Sequence, residues 1–121
     1  MSLFEKKYVY DYKEETYTGF FITMVTSLDN VIMEDFNTYP TSEIVAFKES
    51  YEEAEKTVLT NSCDIQDHMF EYALIEEVPI GVYPSAINKW WFKWDRKNKE
   101  FFKLPDEERD WCNNLFQGSW W

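Results

Sequence analysis

The run Lys89-Trp90-Trp91-Phe92-Lys93-Trp94-Asp95 constrains this chain more than any other segment. So many aromatic side chains in a row fit a pleated strand, and they must be buried against something. Arg96 to Lys99 reads as a connection and Glu100-Phe101-Phe102-Lys103-Leu104 as the returning arm, so residues 89–104 form a hairpin. Alternation places Trp90, Phe92 and Trp94 on one face as a core layer, with Trp91, Lys93 and Asp95 outside.

The flanking sequence supplies the other elements. Tyr8 to Tyr12 and Tyr17 to Val25 read as two antiparallel strands, and Glu43 to Phe47 as a short one. Phe70 to Val78 alternates in the manner of a strand with one buried face. Leu28, Val31, Ile32 and Phe36 line one side of a helix capped by Ser27. Ser50 and Glu53 form a capping box opening a helix that runs to about Thr60, with Ala54 and Val58 inward and Leu59 a third candidate. Residues 61–68 read as irregular or as a short helical turn. Pro105 stands at the first position of a last helix, whose start carries Asp106, Glu107 and Glu108 and whose inner side takes Trp111, Leu115 and Cys112. Strands and helices mix without regular βαβ alternation. The expected class is α+β: a mainly antiparallel sheet with two to three helices packed on it, one compact domain over residues 1–121.

Motifs for chemistry are scarce. His68 is the one histidine, and nothing in its neighbourhood marks a nucleophile. Cys63 and Cys112 lack the spacing of a zinc site, and they read as two reduced thiols. The three glycines build no phosphate-cradling loop. Glu76 and Glu77 are neighbours on a strand and point to opposite faces, so they make no natural chelate. The expectation is a protein that is not an enzyme and has no cofactor and no metal. The longest apolar run, Phe20 to Val25, is far too short for a membrane span, and the N-terminus lacks a signal-peptide core, which predicts a cytoplasmic protein with no membrane contact.

Charge distribution carries the remaining signal. The net charge is −11, yet residues 89–103 hold six cations against Asp95 and Glu100. Taking this +4 from −11 leaves −15 on the rest of the chain, a repulsion that itself costs stability. Rows of carboxylates occur at Glu14 and Glu15, at Asp29, Glu34 and Asp35, at Glu49, Glu52, Glu53 and Glu55, and at Asp106 to Asp110. Candidate partner-binding residues are Glu34, Asp35, Glu52, Glu53 and Glu55 in the acidic rows, with Trp91 and Lys93 in the hairpin.

In size, acidity and lack of catalytic apparatus the chain resembles the small inhibitors that phages and mobile elements direct at host nucleic-acid enzymes and defence systems. It also resembles small immunity proteins that neutralise basic toxins. The resemblance is one of composition and assigns no residue a role. It implies a protein partner with a basic surface, blocked by occlusion or by nucleic-acid mimicry, with no direct nucleic-acid binding expected. Single-stranded nucleic-acid or ligand binding through the Trp/Lys hairpin is the alternative. Homodimer formation is a further reading, since Trp and Tyr anchor interfaces.

Overall fold

The structure is a computed structural model that describes residues 18–28, 41–79 and 86–116. Five strands form one sheet: β1 (Thr18–Val25), β2 (Ser42–Lys48), β3 (Tyr72–Pro79), β4 (Asn88–Asp95) and β5 (Glu100–Lys103). Their order is β2-β1-β3-β4-β5, and every neighbouring pair is antiparallel. Two α-helices occur among the described residues, α1 (Tyr51–Leu59) and α2 (Asp106–Leu115). This is the α+β architecture expected. The strand at Tyr8–Tyr12 and the helix over Leu28–Phe36 fall almost wholly outside the described residues.

The helices lie on opposite faces of the sheet, and this overturns the expectation that β3 buries one face. On the α1 side, Ala54 and Val58 pack with Phe20, Ile22, Met24, Ala73, Ile75, Phe92 and Phe101. On the α2 side, Cys112 packs with Val25, Leu28, Tyr72, Leu74, Trp91 and Leu104. Tyr72-Ala73-Leu74-Ile75 is therefore buried on both faces, as a continuous apolar run in a central strand requires.

Trp91 shares this covered second face. It lies at 0% exposure under α2 instead of outside, with Tyr72 and Phe116 edge-on at 6.0 Å each. Trp90 and Trp94, expected in the core layer, are half-buried; Trp90 leans on Tyr51 at 4.6 Å and Trp94 on Phe101 at 4.9 Å. Alternation was right about the two faces and wrong about which was covered, because both are.

Local chemistry sets the helix ends. Ser50 is extended (φ −139°, ψ 155°) and its hydroxyl accepts the Glu53 N–H at 3.2 Å, the cap the sequence predicts. Ala54 and Val58, four apart, face the core. Leu59 stands one position beyond Val58, about 100° round the helix, and is exposed. Pro105 serves as the N-cap of α2 (φ −70°, ψ 167°) and not as its first helical residue. Cys112 is buried and Leu115 half-buried, whereas Trp111 is exposed, the residue before Cys112 being turned out of the stripe.

One irregularity marks the sheet. Ile22 pairs with Ala46, and Thr23 with Ile44, so Val45 is an extra residue in β2. Beyond β1, the Thr26 N–H donates to the Thr41 carbonyl at 3.0 Å while the Thr41 N–H donates to the Thr26 hydroxyl at 2.9 Å, closing the base of the excursion between β1 and β2.

Candidate functional site

The carboxylates of α1 divide by environment. Glu52 and Glu53 are exposed in its first turn, and Glu49 is exposed just ahead of it. Glu55 is half-buried: its Oε2 accepts the Tyr51 hydroxyl at 2.9 Å and lies 3.8 Å from Lys103 Nζ. The same ammonium sits 5.2 Å from the centre of the Tyr51 ring. Burial, with the Glu55 hydrogen bond next, pushes the Tyr51 phenol well above its ordinary value. Glu55 is thus engaged in joining helix to sheet, while Glu49, Glu52 and Glu53 have no ion pair among the described residues. Glu34 and Asp35 lie outside the described residues.

The hairpin candidates do not join this group. Trp91 is buried and Lys93 is exposed on the α2 face of the sheet, with Nζ 5.8 Å from the centre of the Tyr72 ring. The cations of residues 89–103 are dispersed as well. Lys89 and Lys93 share the face of Trp91, Lys103 reaches α1, and Arg96, Lys97 and Lys99 occupy the turn. The second acidic row, Asp106, Glu107, Glu108 and Asp110, is exposed on α2, on the far side of the sheet from Glu52 and Glu53; within it Asp106 lies 3.3 Å from Arg109.

A cleft of about 450 Å³ opens between the β4–β5 turn and the segment after α1, lined by Asn61, Asp64, Gln66, His68, Trp94, Arg96 and Lys99. Sequence reasoning missed it. Its walls are fixed by local hydrogen bonds. The Gln66 N–H donates to Asn61 Oδ1 at 3.0 Å, the His68 N–H to Gln66 Oε1 at 3.0 Å, and Gln66 Nε2 to the Phe70 carbonyl at 3.2 Å. Asn61, Asp64, His68 and Lys99 all adopt positive φ (48° to 62°). Asn, Asp and His tolerate that region best, and the cluster of Asn61, Asp64, Asp67 and His68 was the available signal. Opposite, the Asp95 carboxylate accepts the N–H groups of Lys97 and Asn98 at 2.9 and 3.3 Å, which holds its pKa below the ordinary value, the Asn98 N–H first. Arg96 is drawn to Glu71 at 3.1 Å. The cleft combines His68, Arg96 and Lys99 with Asp64, a mixed-charge lining able to take a small polar group. Cys63 is not among its lining residues.

The adjacent carboxylates of β3 diverge. Glu76 is buried, within 3.4 Å of the Thr23 hydroxyl, while Glu77 accepts the Thr18 hydroxyl at 3.1 Å and Asn88 Nδ2 at 2.8 Å. No group of three metal-ligating side chains occurs among the described residues, and none of their helices is long and apolar enough to cross a membrane. Both cysteines are free, Cys63 exposed and Cys112 buried. No family model, curated protein or solved structure matches this chain.

Proposed function

We propose that this protein is a small acidic inhibitor that binds a partner protein and occludes a basic, nucleic-acid-handling surface on it. The observation that carries the reading is the exposed row Glu49, Glu52 and Glu53, set on a capped helix and free of cation partners among the described residues. Duplex DNA offers lysine and arginine one phosphate per ~1.7 Å of axis, and carboxylates held on a rigid helix offer the same cations an alternative. The charge of −11 adds long-range steering toward such a surface. In the composition-based analogy, the partner is a nucleic-acid enzyme or defence protein of a phage host, met in the cytoplasm. An immunity protein against a basic toxin would use the same row.

The hairpin alternative has less support. Base stacking needs an accessible aromatic face, and Trp91 is buried while Trp90 and Trp94 lean on Tyr51 and Phe101.

The test is capture from host lysate at low salt by the immobilised full chain, in parallel with a Glu52→Lys/Glu53→Lys variant. The expected result is retention of basic, nucleic-acid-binding proteins, lost with the variant and lost at high salt. Retention indifferent to both changes overturns the electrostatic mechanism. Retention of a labelled single-stranded oligonucleotide, abolished by Lys93→Ala, would favour the hairpin.

A further inference from the structure

We propose that β2 is a self-pairing edge, through which two copies of this chain join their sheets about a twofold axis. Strand β2 lies at the end of the sheet order, and among the described residues Ser42–Lys48 hydrogen-bonds to β1 alone. Among the described residues no strand pairs with its outer side, and an edge left so is a ready template for another strand. Two large apolar side chains, Ile44 and Phe47, are 44% and 47% exposed on this strand.

The bulge determines which register a second copy can take. Residues three apart on an unbroken strand point to opposite faces. Here Ile44 lies opposite Thr23 and Phe47 opposite Phe21, so the extra Val45 brings Ile44 and Phe47 onto one face, that of α2. Glu43, opposite Met24, and Lys48, opposite Phe20, share the other face. In an antiparallel pairing centred between Val45 and Ala46, Ile44 meets the partner's Phe47 and Glu43 meets the partner's Lys48, each contact occurring twice. Both of these opposed pairs lie on a common face, as a continuous sheet demands, and both are complementary, apolar with apolar and anion with cation. Lysine and bulges commonly guard an edge against pairing. In this one register both become part of the match.

The occupant is a second copy because β2 is complementary to itself in charge and in shape. A basic foreign strand would suit Glu43 but would oppose Lys48.

Sedimentation equilibrium of the full chain at about 0.15 M salt, where a Debye length of ~8 Å screens the like net charges, tests the pairing. The wild type is expected at twice the single-chain mass. Glu43→Lys and Lys48→Glu, each creating two like-charge contacts, are expected to weaken association by about tenfold or more. An equimolar mixture of the two variants restores opposite charges at both contacts and is expected to return to the doubled mass. Glu43 is exposed and Lys48 half-buried, and recovery in the mixture separates a broken register from a misfolded chain. A wild type that stays at single-chain mass at all concentrations overturns the proposal. So does a dimer indifferent to either substitution, or a mixture that fails to associate.

Discussion

The indole N–H of Trp91 donates to Oδ1 of Asn113 at 2.7 Å, fastening the strand beside the sheet's centre to α2. Trp91→Phe keeps most of the apolar volume and deletes the donor, leaving the Asn113 oxygen without it in a part-buried site. A loss of about 1–3 kcal/mol is expected in urea unfolding. Trp91→Ala adds a cavity, and about 3–5 kcal/mol is expected. Equal midpoints for wild type and Trp91→Phe would show that the bond contributes nothing.

The α1 cap gives a second number. Ser50→Ala removes the acceptor for the Glu53 N–H, at a cost of about 1 kcal/mol. The urea midpoint should fall with the slope unchanged. On the same helix, Leu59→Ser should move stability by no more than about 0.5 kcal/mol, because that side chain is exposed at the surface.

Much of this was legible in the strand and helix patterns, and the misses share a cause. Ser50-x-x-Glu53 and the 89–104 hairpin announce themselves because their signals are local. Trp91 is buried and Trp111 exposed, the reverse of what local spacing predicts, because their burial depends on elements distant in sequence. Whether Trp91 faces water is decided by α2 folding back over β4, which no alternation within residues 89–95 can reveal. The cleft lined by His68 and Lys99 depends on two loops meeting, and the bulge at Val45 depends on the register with β1. Neither leaves a periodic trace.

Alkaline titration should expose Cys112. Burial, with Glu108 beside it, pushes its thiol from near 9 up to about 12, and Lys93 opposes only in part. A group whose folded pKa lies above its unfolded one supports the fold fully below the unfolded value and loses that support as pH rises. Stability should therefore decline from about pH 9 toward pH 12, with Tyr51 adding a loss of the same sign above its ordinary value of 10.0. Urea midpoints between pH 8 and 11 measure it, and a flat profile would contradict it. In the native state at pH 8, a thiol reagent should modify exposed Cys63 rapidly and Cys112 only on unfolding.

The β4–β5 turn should respond at the acidic end. Asp95 is held below its ordinary value by the Asn98 and Lys97 N–H groups, so its contribution is complete above that value and is lost as pH falls below it. The amide resonances of Lys97 and Asn98 are expected to shift together, with a midpoint below 3.8. A midpoint at or above that value would mean the hydrogen bonds do not favour the carboxylate.

The wiring of the sheet dictates an order of assembly. Hairpin β4–β5 closes over a four-residue turn, but β1 reaches its inner neighbour only when Val25 finds Tyr72, after β2 and α1 have been traversed. Closing so long a loop is slow compared with forming a hairpin. During synthesis Phe20, Ile22 and Met24 are made about fifty residues ahead of Ala73 and Ile75, which pack against them in the folded chain. At that stage, among the described residues, β2 and α1 alone are available to shelter β1, and its inner edge stays open until β3 follows.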